Sequence, residues 1–213
     1  MSVEKVPYPL AKRFLDKGMA VGLGVVLAPV FVVALGAMGL DMLRDPRDRG
    51  PLLYRERRVS CGREFDLLKF RTLRSDVLAQ NAGEAHARLL EADASKLTWA
   101  GRRVLKPFYL DELPQLVNVL RGEMSLVGPR PWPPSMVASQ VAKGHDYRNR
   151  VVAGWTGPAQ VQKGITEPAG YTELDLAYVD ACTTWPVGRL VLHDLRLLWR
   201  TVQVLARGEG LRF

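Results

Sequence analysis

The stretch GMAVGLGVVLAPVFVVALGAMGL, residues 18–40, carries no charged side chain, and its reading decides what kind of fold this chain builds. As one straight helix it would be about 34 Å long at about 1.5 Å per residue, enough for a hydrocarbon core of about 30 Å. A secretory signal is the weaker explanation, because the segment starts late, is long for such a core and lacks a small-residue cleavage site before Asp41. Pro29 removes a backbone donor and clashes with the carbonyl four residues earlier, so the helix is expected to break at Ala28-Pro29. Lys12, Arg13 and Lys17 precede the segment and Arg44, Arg47 and Arg49 follow it. Both flanks therefore prefer the cytoplasmic side, which a single crossing does not satisfy. Two geometries stay open on the residues alone: a helix that enters, breaks and returns through one leaflet, and a spanning anchor with a proline kink.

At 213 residues the chain can bury one real core. Lys and Arg number 30 against 22 Asp and Glu, a formal charge of +8, which asks for an anionic partner. Basic residues flank the apolar segment and recur along the last helix-like stretch, a distribution that suits lipid headgroups better than a nucleic-acid groove. Cys61 and Cys182 are far apart, and neither they nor His86, His145 and His193 show metal-ligand spacing. Such sparse cysteine usage fits a reducing compartment.

Residues 50–73 alternate apolar and polar positions about Ser60-Cys61-Gly62-Arg63, the pattern of a β-hairpin. Residues 75–92 read as a surface helix or connection. The apolar positions Leu113, Leu116, Val117 and Leu120 predict a helix over 111–120 with Pro114 in its first turn, which places Asp111 and Glu112 at a helix N-terminus. There the macrodipole favours ionised carboxylates. Gly154 to Gln160 reads as a turn-rich loop leading into a Gly-rich passage up to Gly170, and 172–180 as helical. Residues 189–207 predict an amphipathic basic helix, with Val191, Leu192, Leu195, Leu198, Trp199, Val202 and Leu205 on one side and Arg189, His193, Arg196 and Arg200 on the other.

A carboxylate can attack phosphorus and split one transfer into two displacements. Phosphoryl chemistry also needs its non-bridging oxygens neutralised, by a divalent cation on oxygen ligands and by Arg or Lys. Asp111 as nucleophile and Glu112 as ligand would meet both demands, although an isolated acidic pair at a helix start more often only stabilises the helix. Arg130, between Pro129 and Pro131, is held on a stiff backbone suited to bidentate phosphate recognition. Lys69 and Arg71 would project to one face of a strand, and Arg148 adds a further cation.

The central run LDELPQLVNVLRGEMSLVGPRP (110–131), with KFRTL upstream (69–73) and GWTGPAQV downstream (154–161), resembles the bacterial sugar transferase family, the monotopic phosphoglycosyl transferases in their minimal catalytic-core form. The resemblance runs from Lys12 to the C-terminus. It implies a reaction in which a UDP-sugar gives its phosphosugar to a polyprenyl phosphate such as undecaprenyl phosphate, releasing UMP, as a first membrane step of exopolysaccharide, O-antigen or other glycoconjugate synthesis. By the same resemblance Asp111 is the covalent nucleophile, Glu112 binds Mg2+, and Arg130, with Lys69, Arg71, Lys106, Arg148 and Gln160, binds substrate.

The fold it implies is mixed α/β. It is a single small membrane-associated catalytic domain (46–213) behind a basic flank and re-entrant helix (1–45), with amphipathic interfacial helices. It would lie on the cytoplasmic face of the bacterial inner membrane, against phospholipids and without nucleic acid. Three departures stand out. Ala28-Pro29 replaces a usual Ser-Pro, Lys106 stands for a usual Arg and keeps its charge but not its fork, and Ala153-Gly154 replaces Pro-Gly. The sugar and the oligomeric state, a homodimer included, stay open, and a non-catalytic membrane scaffold for glycan-assembly enzymes is the alternative function.

Overall fold

The computed structural model describes residues 4–80, 90–162 and 170–207, so the expected connection over 81–89 and the Gly-rich passage over 163–169 lie outside the described residues. Helices α1 (Leu10–Val26) and α2 (Ala28–Arg44) carry the apolar stretch and are bent by 60° where they meet. The break falls at Leu27, and Pro29 lies in the first turn of α2, where its missing N–H costs least. Among the described residues no single helix is long and apolar enough to cross a membrane; the bent pair has the combined length and composition of a broken span or a re-entrant loop. Phe14, Val25, Val26 and Val32 along it are each about 70% exposed.

Strands β1 (Leu53–Ser60) and β2 (Arg63–Phe70) pair as the expected hairpin. Cys61 at φ 50° and Gly62 at φ 72° both take the left-handed conformation, the requirement of the tight two-residue turn that matches strand twist. The remaining elements are α3 (Ser75–Gln80), α4 (Gln115–Arg121), β3 (Ser125–Val127), α5 (Pro134–Ala142), β4 (Gly154–Thr156), α6 (Pro158–Val161), α7 (Gly170–Thr184) and α8 (Val187–Ala206).

The chain forms two compact units that interleave in sequence. The first comprises Met1–Gly22, Glu56–Leu67 and Leu116–Arg212. Within it β3 and β4 run parallel, Ser125 opposite Gly154 and Val127 opposite Thr156. The loop expected at Gly154 is thus a strand, too short for its alternation to be read. Gly154 has no room for a side chain: a Cβ there would fall 2.0 Å from the Gly128 amide nitrogen. Leu126, Val127, Met124, Val119, Tyr147 and Leu190 are buried around this pair.

Helix α8 joins the same unit through Leu190, Asp194 and Leu197, all buried. Along the apolar side of this helix Leu192, Leu195, Trp199 and Val202 are exposed. A buried polar network backs the parallel strands: Lys12 pairs with Asp194, and both Lys12 Nζ and the Tyr178 hydroxyl donate to the Val127 carbonyl. Tyr178 also donates to Asp194 at 2.8 Å, and Ser125 donates to Asp16 at 2.7 Å.

The second unit comprises Leu23–Arg55 and Leu68–Gln115. Its core gathers Ala34, Ala37 and Met38 of α2 with Phe70, Ala100, Leu105 and Leu113. Phe31 meets Phe70 edge-on at 5.9 Å, a favoured aromatic geometry. Asp41, buried in α2, accepts the Ala100 amide at 2.7 Å and ties the helix to the segment leading to the acidic pair.

Candidate active site

Asp111 occupies a 3-10 turn, Leu110–Glu112, and is 2% exposed. This corrects the helix expected over 111–120: the α-helix begins only at Gln115, and the acidic pair lies in the turn before it. The turn is entered through Tyr109 at φ 54°, ψ 24°, a left-handed conformation that costs a non-glycine residue about 1–3 kcal/mol and persists only where its surroundings impose it. A π-helical segment, Gly101–Leu105, precedes it, a rare form often found at functional sites. A Cβ at Gly101 would fall 2.4 Å from the Thr72 carbonyl oxygen, so this segment approaches the end of the hairpin as only glycine permits.

Lys106 follows at once, its ammonium 3.2 Å from Asp111 Oδ2 and 2.5 Å from Glu91 Oε2. The Thr72 hydroxyl donates to the other oxygen of Glu91 at 2.7 Å. Burial raises the Asp111 pKa to about 6; Lys106 and Lys69 oppose the shift, and Glu112 and Glu91 add to it. The expected lowering by a helix dipole is overturned. A dipole contributes about 0.3–1 kcal/mol near a surface, whereas each pKa unit is about 1.4 kcal/mol. Burial also pulls Lys106 down, but Asp111 and Glu91 outweigh it, and the net shift is upward. A carboxylate near 6 beside a firmly charged ammonium is mostly ionised at neutral pH. Its Oδ1 is buried without a hydrogen-bond partner among the described residues.

Lys69 is buried, and its charge acts to lower the Asp111 pKa. Arg71 is placed differently. Its guanidinium donates to the backbone carbonyls of Pro51 and Leu73 at 2.8 Å each and to that of Asp48. This is an anchor that folds the chain around the hairpin's base, and the expected role in substrate binding has no support in its geometry.

Arg130, Arg148 and Gln160 belong to the first unit. Arg148 is 6% exposed, stacks over Trp132 at 3.7 Å and Tyr147 at 4.5 Å, and pairs with Asp175 at 2.8 Å. Its Nε donates to the Arg130 carbonyl at 3.4 Å, so it braces the Pro-Arg-Pro turn, while its Nη1 is buried without a partner among the described residues. Both amide atoms of Gln160 are likewise buried and unpartnered among the described residues. Such groups cost free energy unless a ligand or water completes them.

Among the described residues no group of three or more His, Cys, Asp or Glu is arranged to hold a metal. A Mg2+ ion keeps several waters and takes only one or two carboxylates alongside substrate phosphates, and the Glu112 carboxylate, next to Asp111 in the same 3-10 turn, is a donor of that kind.

Residues 7–208 match the model of the bacterial sugar transferase family. This chain belongs to that family. The bacterial sugar transferase is 36% identical over 94% of its length to the UDP-glucose:undecaprenyl-phosphate glucose-1-phosphate transferase of Caulobacter vibrioides, covering 72% of that protein. It is 35% identical to the exopolysaccharide production protein ExoY of Sinorhizobium fredii, covering 94% of this chain and 88% of that one. It is 30% identical over 97% of its length to the UDP-N-acetylgalactosamine-undecaprenyl-phosphate N-acetylgalactosaminephosphotransferase of Aeromonas hydrophila, of which it spans 47%.

Sequence reasoning missed Glu91, Thr72, Trp132, Tyr147 and Asp175. Glu91 stands in a polar stretch without periodicity, fifteen positions before Lys106.

Proposed function

We propose that this transferase moves a phosphosugar from a UDP-sugar to a polyprenyl phosphate through an aspartyl-phosphosugar intermediate on Asp111, releasing UMP. The observation that carries the reading is a buried carboxylate with one oxygen held by Lys106 and the other without a partner among the described residues.

In the first step an Asp111 oxygen forms a bond to the β-phosphorus as the bond from that phosphorus to the bridging oxygen breaks. The bridging oxygen leaves with the electron pair on UMP. In the second step an oxygen of the polyprenyl phosphate attacks the same phosphorus, the acyl phosphate bond breaks and the Asp111 carboxylate returns. A nucleophile ionised without an external base suits this scheme, because neither displacement requires a proton.

Lys106 and Lys69 lower the charge around Asp111 and admit an anionic diphosphate. Glu112 is the proposed ligand of Mg2+, which when bound neutralises non-bridging oxygens of the diphosphate. Arg130 and Gln160 are assigned to the phosphates and nucleotide, with Arg148 bracing them. The relatives' names include both a glucose and an N-acetylgalactosamine donor, so the donor sugar is left to experiment.

Residues 1–45 are read as a re-entrant membrane helix with its basic flank, and 46–213 as the catalytic domain on the cytoplasmic face of the inner membrane. The symmetric basic flanks support re-entrance, and the 60° bend accommodates it. The exposed apolar face of α8, bordered by Arg189, Arg196 and Arg200, suits the headgroup layer.

Asp111→Asn is expected to abolish UMP release and lipid product while the protein stays folded. Detergent-purified protein assayed with a panel of UDP-sugars, Mg2+ and undecaprenyl phosphate reads this directly. Turnover by the variant at the parent rate would refute the covalent scheme.

A further inference from the structure

Thr72, Glu91, Lys106 and Asp111 form one continuous line of contacts, at 2.7, 2.5 and 3.2 Å in turn. The Glu91, Lys106 and Asp111 side chains are 13%, 14% and 3% exposed. A lysine is a point charge on a flexible four-carbon stem, with much rotamer freedom to lose. One contact with Asp111 would leave the ammonium free to swing about it. A second carboxylate, itself pinned by Thr72, fixes Nζ between two points. The effect is felt at Asp111, whose two oxygens are equivalent until one is engaged: Oδ2 faces Lys106, and Oδ1 has no partner among the described residues.

We infer that Glu91 is a positioning residue which, acting through Lys106, holds Asp111 by Oδ2 so that Oδ1 is the oxygen that attacks phosphorus. This rests on the phosphosugar-transfer reading above. Oδ1 forms the new bond to the β-phosphorus, and the bridging oxygen departs with its electron pair on UMP. Glu91 exchanges no proton in either displacement. Displacing a reacting group by about 1 Å costs up to about 100-fold in rate, so the tether matters even though Glu91 touches no reacting atom.

The test uses the full chain in detergent and measures initial UMP release, the KM for the UDP-sugar and the thermal midpoint. Glu91→Gln is expected to lower kcat about 10-fold with KM within about twofold, since the loss is one of orientation and not of binding. Lys106→Met is expected to lower kcat at least as far. The double variant should fall no further than Lys106→Met alone, because residues acting through one contact are not additive.

A Glu91→Gln protein with the parent's kcat would overturn the inference. So would a double variant whose loss is the product of the two single losses. If Glu91→Gln does not fold, Thr72→Val decides: a kcat lowered about threefold at unchanged KM supports the tether, and the parent's kcat refutes it. Failure of the underlying reading is distinguishable, because it would appear first as an absence of Asp111-dependent UMP release in the parent protein.

Discussion

Gly101 shows how much of the site depends on single residues with no chemistry of their own. A Cβ there would meet the Thr72 backbone carbonyl at 2.4 Å, and a carbonyl cannot swing aside as a side-chain tip can. That carbonyl also accepts the Thr98 amide at 2.9 Å, and the Thr72 hydroxyl holds Glu91. Gly101→Ala is therefore expected to cost about 1–3 kcal/mol of stability, the usual penalty of overpacking, and to lower kcat as well, because Thr72 must shift. Thermal unfolding and UMP release measured on the same preparation check both, and an alanine variant with unchanged midpoint and rate would contradict the close approach. At this scale the sequence was legible where chemistry is concentrated and illegible where backbone is the partner. Asp111, Glu112 and Arg130 stood out as charged residues in a stiff, specific block. Arg71 looked identical to a substrate-binding cation, yet carbonyls of Pro51, Leu73 and Asp48 absorb it, and carbonyl acceptors leave no mark in a sequence.

Elements were legible to the extent that their period repeats. The hairpin has eight residues on each strand and a Cys-Gly turn, and was found where alternation placed it. The helix after the acidic pair was set too early because Pro114 is compatible with a first turn, and apolar spacing does not distinguish a 3-10 turn from the α-helix it leads into. Helix α8 was found nearly to its ends, but its buried stripe includes Asp194, which no apolar pattern would choose. That residue explains how α1 is held in the first unit. Lys12 and Asp194 are 5% and 2% exposed as side chains, and removing one partner of such a pair costs about 3–5 kcal/mol. Lys12→Met is expected to lose stability in that range at neutral pH, and Lys12→Met with Asp194→Leu to recover much of it. The pH dependence has a definite sign. Burial already raises the Asp194 pKa, with Lys12 opposing the shift; without Lys12 it rises further above the unfolded value of about 3.9. Between those two values the native state binds a proton that the unfolded chain releases, so the variant loses stability as pH rises through the window and regains it on acidification. Denaturant unfolding at pH 4.5 and at pH 7.5, taken as set points, decides the matter: a deficit in Lys12→Met that is the same at both would show that Asp194 is not the group left uncompensated.

For the whole molecule the proposal to test is that both ends of the bent pair lie on one side of a membrane. Apolar length alone permits both a kinked crossing and a return, and the 60° bend at Leu27 is local geometry that either path can use. Charge discriminates more strongly. Lys12, Arg13 and Lys17 lie before the apolar stretch and Arg44, Arg47 and Arg49 after it, and each Lys or Arg moved into a bilayer centre costs about 2.5–3.5 kcal/mol on insertion scales. Carrying one cluster through the membrane would work against the positive-inside preference, while a return leaves both clusters where they started. Lys12 adds a second constraint, because its pairing with Asp194 keeps the start of α1 on the same side as α8. Single cysteines at Lys5 and Arg49, both exposed, introduced into a Cys61→Ser, Cys182→Ser background, are expected to react from the cytoplasmic side only. The measurement is labelling by a membrane-impermeant maleimide in intact spheroplasts and in inverted vesicles. Protection of both sites in spheroplasts with labelling of both in inverted vesicles supports the re-entrant path. Labelling of the two sites from opposite sides would establish a crossing, and the catalytic domain would then have to be placed by Arg49 alone.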